Sequence, residues 1–476
     1  MVISKTMNHK TLSNMWRLIL IVLLLTACSD NLTQLEEVKK KGELTVISRN
    51  GPTTYYEGPT GPTGFEYDLA KMFADELGVD LKIVVPDNFA EIIPMVMKGE
   101  ADFAAAGLTV TPQREKLIHF GPVYQTISQQ VVYQQDEQKP SNIKDLNKGI
   151  LEVIAGSSHV ERLKQLKKEY PELTWNVNTE LGSEELLSLV RERVVDYTIA
   201  DSNEVDLNQR FYPKLKVAFD VSKPQSLAWG FAYSQDNSLY KVAETFFNKI
   251  KKDGELDNLI ERYYGHIDNF DDTDRRFFFR RVVRRLPLYQ QTFETAAQEN
   301  NLDWRLLAAM GYQESHWDPE AISNTGVRGL MMLTRLTAKD LGIEKRTNPT
   351  ESIIGGAKYF SYLKDLIPKK IKEPDRTWFA LAAYNVGYGH LEDARRITKK
   401  FGHDENKWLY VRDSLPLLKQ KKWYKKTIYG YARGDEPVRY VENIRTYYDL
   451  LVWFTDQESP EAKKDINALS IDSPVL

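Results

Sequence analysis

From Gly42 to about Ile267, short β-rich runs alternate with stretches of helical period, and this alternation restricts the fold more than any other feature of the chain. The runs are LTVIS at Leu44, a helix around Tyr67 to Leu77, LKIVVP at Leu81, a helix around Ala90 to Met97, and ADFAAAGLTV at Ala101. Strand and helix in turn predict an α/β domain with a largely parallel sheet. The alternation stops at DNFDDTD, Asp268 to Asp274, an acidic break that marks a domain boundary, and the remainder is helical in pattern. A chain of 476 residues exceeds one ordinary core, so two or three domains are expected. RRFFFRRVVRR, Arg275 to Arg285, follows the break and reads as a solvated helix face, an inter-domain contact, or a contact with anionic lipid or wall polymer.

Composition removes several function classes. A net charge of −3 gives no case for nucleic acid. The single cysteine rules out an intramolecular disulfide, and seven scattered histidines without His-Glu-x-x-His spacing give no case for a metal, so neither metal nor cofactor is expected. Lys5, Lys10 and Arg17 precede the apolar run Leu18 to Leu25, the layout of a secretory signal. Leu25-Thr26-Ala27-Cys28 resembles the lipobox of bacterial lipoproteins, which implies cleavage after residue 27 and lipidation of Cys28, a membrane anchor. The alternative is a plain signal with an incidental cysteine. Ser29, where an inner-membrane retention aspartate might stand, leans toward the outer membrane. Residues 28–42 read as a polar tether with helical tendency.

The second half centres on Asp303 to Trp317, DWRLLAAMGYQESHW. Leu306, Leu307, Met310 and Glu314 share a helix face, so a carboxylate lies on a stripe that ought to be packed. Asp303 is the expected N-cap and Asp318-Pro319 the expected stop. Burial would raise the carboxyl pKa and make Glu314 a proton donor near neutral pH, whereas the plain alternative is a glutamate reaching solvent from the helix edge. Three further stretches join it. Gly329-Leu330-Met331 follows a turn at Asn324 to Gly326, where glycine would let backbone approach a ligand. Trp378 to Asn385 is a helix stopping at Gly387, which puts Tyr384 and Asn385 in its last turn, and Tyr440-Val441 begins a long helix. Alone, each is more often packing or a helix end.

Taken in order, Glu314-Ser315, Gly329-Leu330-Met331, Ala383-Tyr384-Asn385 and Tyr440-Val441 resemble the lysozyme-like catalytic domain of the lytic transglycosylases. The resemblance implies a mainly α domain that acts on peptidoglycan glycan strands with Glu314 as the catalytic acid. Ser315, Gly329, Leu330, Met331, Tyr384, Asn385 and Tyr440 then belong to the substrate site. Met332 stands where that family usually has glutamine, so a polar contact from that side chain is missing.

In the first domain, Arg114 offers a planar fork for a carboxylate, Gly156-Ser157-Ser158 opens a helix whose free N–H groups favour an anion, and Asp201 suits an ammonium group. Their structural alternatives are a surface ion pair, a simple cap, and an N-cap for the helix beginning at Ser202. Gly64 to Leu69, Gly107-Leu108-Thr109 with Thr111 and Arg114, Gly156-Ser157-Ser158, Asp196-Tyr197 with Asp201, and Asp253 to Leu256 resemble family 3 solute-binding proteins. That implies two lobes, with the chain crossing out near Gln129 to Val132 and back near Ala228 to Phe231. It also implies a cleft in which Thr109, Arg114, Ser157, Ser158 and Asp201 clamp an amino acid or a muropeptide.

The expected fold class is therefore multidomain, an α/β two-lobed periplasmic-binding-protein-like domain followed by a mainly α lysozyme-like domain. The predicted divisions are a signal over 1–27, a tether over 28–42, the solute-binding-like domain over 43–268 and the transglycosylase domain over 269–476. A lipobox, a solute-binding domain and a transglycosylase domain in that order resemble the membrane-bound lytic transglycosylases, which implies a periplasmic enzyme on the outer membrane. The rival reading is a lipid-anchored amino-acid or peptide receptor whose C-terminal domain only grips murein.

Overall fold

The computed structural model describes residues 32–58, 61–265, 272–323 and 326–457. The predicted signal, Cys28, the boundary at Asp268 and the turn residues Asn324 and Thr325 lie outside the described residues. Among the described residues no helix is long and apolar enough to cross a membrane.

The first domain has two lobes, each built on a five-stranded sheet. The first sheet runs Asp80–Val84, Glu43–Ile47, Phe103–Ala104, Gly230–Phe231, His119–Phe120. The second runs Asn176–Asn178, Leu151–Ile154, Tyr197–Asp201, Gln129–Gln134, Leu215–Asp220. Successive βαβ strands pair in parallel in both sheets, as the alternation predicts. Strands that arrive from the other lobe pair antiparallel, Gly230–Phe231 with its neighbours and Gln129–Gln134 with two more, so both sheets are mixed. Gln125–Ile127 and Gln225–Leu227 pair with each other between the lobes and form the crossing itself. The expected crossing points therefore sit a few residues too late, already inside the sheets.

Other expectations also shift. The stretch from Ala101 to Val110 is strand only at Phe103–Ala104, because the chain turns at Gly107 with φ 65°, after which Thr109 makes a single bridge to Leu227. The end of the supposed tether is a packed helix, Gln34–Lys41. Thr33 and Glu36 close a capping box at its start, Val38 is buried, and the Leu35 amide donates to Ser238 Oγ at 3.1 Å. Leu35 and Val38, three residues apart, give it an apolar edge that seals against the first lobe.

The second domain is helical around one core. Trp304–Ser315 runs through its middle, with Leu307, Ala308, Ala309, Met310 and Gly311 all buried. Small residues on this helix let Asp435–Gln457 and Gln290–Glu299 close against it, with Phe293, Met331 and Ile444 filling the gaps. The arginine-rich segment forms Asp272–Arg284, with Phe278 and Val282 in the core. Arg281 donates to the Tyr312 hydroxyl at 3.0 Å, and Arg275 donates to the Gln209 carbonyl of the first domain at 2.6 Å. Internal and inter-domain contacts thus account for these two arginines.

The domains meet along Asp435–Gln457. Arg445 and Arg412 both pair with Glu261 on the helix Glu255–Tyr264, whose Leu256 and Leu259 belong to the first-lobe core. Further along, Trp453 packs against Phe211 at 6.0 Å between ring centroids, on the second-lobe helix Ser202–Phe211. A single helix of the second domain thus touches both lobes.

Candidate active site

The cleft between the lobes collects every residue the sequence assigned to it. Thr109 and Arg114 from the first lobe face Ser157, Ser158 and Asp201 from the second, and a space of about 20 Å³ remains, room for about one water. Their polar groups are already engaged. Arg114 pairs through Nε with Glu161 at 3.1 Å and donates to the carbonyls of Gly156 at 3.0 Å and Thr109 at 3.3 Å. Ser158 Oγ donates to Thr109 Oγ1 at 3.1 Å, Ser157 Oγ to the Ile154 carbonyl at 2.7 Å, and Asp201 pairs with His159 at 3.0 Å while standing at the N-cap of the Ser202 helix. Arg49 forms a further ion pair with Glu204 across the cleft. The free amino-acid clamp expected from sequence is occupied by the protein's own groups, because Glu161 and Glu204 supply the carboxylates that a ligand would.

The second site is built on Trp304–Ser315. The Asp303 side chain accepts from the Arg305 amide at 2.8 Å, as an N-cap should. The helix stops at Ser315, ahead of the expected Asp318-Pro319. His316 and Trp317 both take left-handed backbone, φ 53° and 56°, and the fully buried Trp317 indole donates back to the Ala308 carbonyl at 2.8 Å. Glu314 thereby stands in the last helical turn. The residue keeps a partly open edge, yet enough protein surrounds its carboxyl to penalise the charge. Burial pushes its pKa from 4.5 up to about 7, while the hydrogen bond from Tyr440 pulls it down.

Tyr440 is 4% exposed and its hydroxyl donates to Glu314 Oε1 at 2.6 Å. It lies in the second turn of Asp435–Gln457, which begins five residues before the expected start because Pro437 is tolerated in a first turn. Tyr384, in the last turn of Asp375–Val386, stacks near Tyr440 at 6.4 Å and donates to the Met331 carbonyl at 2.9 Å. Burial first, then the Glu314 carboxyl, holds both phenols well above their ordinary pKa, so each stays a donor. Asn385 is exposed at the same helix end, just before Gly387 at φ 89°.

Residues 44–266 match the family model described as bacterial extracellular solute-binding proteins, family 3, and residues 291–407 match the transglycosylase SLT domain. The membrane-bound lytic murein transglycosylase F of Saccharophagus degradans is 48% identical over 448 residues, 93% of this chain and 89% of that protein. The chain belongs to that family. Transglycosylase F 1 of Alkalilimnicola ehrlichii is 49% identical over 89% of this chain and 86% of its own length. Transglycosylase F of Ectopseudomonas mendocina is 46% identical, with shares of 96% and 94%.

Some predicted site residues of this chain face inward. Leu330 and Met331 are fully buried in the core, and Ser315 Oγ donates to the Gly311 carbonyl at 3.1 Å, turned onto its own helix. Gly329, at φ 100°, is required by a different neighbour than supposed. A Cβ there would lie 2.1 Å from the Arg346 carbonyl, so the close approach is to the protein's own backbone. Sequence reasoning missed Tyr359, whose ring lies 5.2 Å from Tyr384, and the cleft residues Arg49, His159, Glu161 and Glu204. Each sits on an ordinary helix or loop position, and no local motif singles it out.

Proposed function

We propose that this chain is a lytic transglycosylase that cleaves the β-1,4 bond between N-acetylmuramic acid and N-acetylglucosamine in peptidoglycan without water, leaving 1,6-anhydro ends. The single observation that carries the reading is the half-buried Glu314 carboxyl, with a pKa pushed to about 7 and one oxygen held by Tyr440. Such a group is a proton donor at neutral pH. A glycosidase that uses water ordinarily needs a second carboxylate. Asp318 is tied to Arg285 at 3.1 Å and Glu320 is exposed, so the neighbouring acids are poor partners for Glu314. A lone acid suffices when the nucleophile belongs to the substrate.

Glu314 donates its proton to the glycosidic oxygen as that bond breaks. The resulting carboxylate accepts the proton of the muramyl C6 hydroxyl, whose oxygen closes on C1. The acetamido group assists at C1, and tethering of the hydroxyl supplies the proximity. Tyr440 fixes the carboxyl, Tyr384 stiffens the groove floor through Met331, and Asn385 is placed to bond the glycan. Ser315, Gly329, Leu330 and Met331 would act through backbone and packing. A receptor whose rear domain merely grips murein would have no need of a desolvated acid beside two phenols.

The first domain takes an amino acid or muropeptide when Arg114 is released from Glu161, and its closure repositions the catalytic domain through the shared helix. Lipidated Cys28 holds the enzyme on the periplasmic side of the outer membrane. Mass spectrometry of products released from murein sacculi tests the cleavage: anhydro ends with wild type and none with Glu314→Gln are expected. Reducing ends, or an active Glu314→Gln enzyme, would overturn it.

A further inference from the structure

Between the catalytic helices Asp375–Val386 and Asp435–Gln457 the chain carries SLPLLKQKKWYKKTIYGYARG, Ser414 to Gly434, with six basic side chains and no acidic one in a protein of net charge −3. Lys419 pairs with Asp435, and Arg433 with Glu436 at 3.3 Å. Lys421, Lys422, Lys425 and Lys426 are exposed, and among the described residues none has a carboxylate partner. Exposed aromatic and apolar groups lie among them: Ile428 at 71%, Tyr429 at 56% and Tyr431 at 57%. Lys422 and Lys400 both stand over the Trp423 ring at 5.7 Å.

This loop is fixed in place. The amides of Ile428 and Tyr429 donate to the fully buried Asp393 carboxylate at 3.1 and 2.7 Å, and the Ala432 amide donates to the Leu418 carbonyl at 3.2 Å. The Tyr429 ring lies flat over Gly389, where a Cβ would come within 2.6 Å of it. Gly389 is four residues past Asn385, across the junction of Asp375–Val386 and Tyr388–Lys400. At its other end the loop runs directly into the helix of Tyr440. The basic, aromatic surface is therefore tied to the chain at two places, just past Asn385 and just before the helix of Tyr440.

We propose that the loop 414–434 is a second binding surface of this enzyme, which holds the free carboxylates of murein stem peptides beside the glycan strand being cut. The proposal rests on murein being the substrate. Stem peptides carry several carboxylates that are ionised at neutral pH and spaced along a flexible chain. Four ammonium groups on flexible stems, without a carboxylate partner among the described residues, suit such dispersed charges better than one rigid guanidinium fork. Attachment of the loop to Tyr388–Lys400, whose first turn begins just past Asn385, favours murein over the other anionic surface available, a phospholipid headgroup layer.

The test uses the full chain carrying Glu314→Gln, so that binding is read without cleavage, with and without Lys421→Glu and Lys422→Glu. Co-sedimentation is measured with intact sacculi, with sacculi stripped of peptides by an amidase, and with vesicles of phosphatidylglycerol and phosphatidylethanolamine. The expected result is binding to intact sacculi weakened about tenfold, with a shallower salt dependence, and unchanged binding to stripped glycan. Equal weakening on both forms of murein, no weakening, or a loss confined to vesicles would overturn the proposal. Lys425→Gln with Lys426→Gln must reproduce the effect in smaller size, and circular dichroism reports whether each variant is folded. Product analysis on the Glu314 enzyme is independent of these arms, so a failure of the cleavage reading shows there and not in the binding difference.

Discussion

Arg445 of the catalytic domain meets Glu261 of the solute-binding domain in a buried contact, Nη1 to Oε1 3.2 Å, and its other nitrogen donates to the Glu261 and Arg262 carbonyls at 3.0 and 2.9 Å. Arg445 lies five residues beyond Tyr440 on the same helix, so the bond to the acid and the bond to the first domain share one rigid element. Replacing Arg445 with Leu leaves Glu261 buried with Arg412 and takes one donor from each of the Glu261 and Arg262 carbonyls. The expected loss is about 3 kcal/mol of stability. Calorimetry should show a lower Tm, and any response of murein cleavage to a cleft ligand should shrink; an unchanged Tm and an unchanged response would refute the coupling.

Glu314→Gln removes the proton that cleavage requires, and the expected drop in anhydro-product release is at least about a thousandfold. Stability moves the other way. The folded pKa of Glu314, about 7, lies above its ordinary 4.5, so folding favours the protonated form. The stabilisation is complete below pH 4.5 and is lost as pH rises to 7. Gln therefore stabilises the protein by about 3 kcal/mol at pH 8 and leaves it nearly unchanged at pH 4. Thermal unfolding at the two pH values checks the sign.

Tyr440→Phe removes the hydrogen bond that lowers the Glu314 pKa, so the acid should titrate above 7 in the variant. The alkaline limb of kcat/KM then shifts to higher pH, while the rate on its plateau falls about ten- to a hundredfold because the carboxyl is less well held. A pH profile that only scales down, with its limb unmoved, would assign Tyr440 a purely structural part.

Glu161→Gln frees Arg114 from its competitor in the cleft without deleting a buried side chain. Ligands with a carboxylate should then bind about tenfold more tightly, since less closing energy is spent on the internal pair. Isothermal titration with amino acids and muropeptides, wild type against variant, reads this directly. Weaker binding in the variant would mean that Glu161 itself touches the ligand.

What was legible in the sequence is what local periodicity records. The helix of Glu314 and its N-cap and the helix end at Gly387 follow from spacing within one segment, whereas the two lobes are what the resemblance to family 3 solute-binding proteins implies. The closed cleft does not, because Arg114 and Glu161 are 47 residues apart and either would look like an ordinary helix charge. Gly329 was noticed for the right reason, a backbone too close for a side chain, but the sequence could not say that the neighbour is Arg346. The crossing points slid by a few residues because Gln129–Gln134 and Gly230–Phe231 have the apolar runs of sheet strands, while the actual connectors around Gln125 and Gln225 are polar and short.

The left-handed turn that ends the Glu314 helix has a last consequence. Trp317 hooks onto Ala308 within the same helix, so the acid is braced by nine residues of its own neighbourhood. Its backbone position is thus set within one short stretch of chain, before the polypeptide reaches Tyr440, the distant residue that completes the hold on the carboxyl.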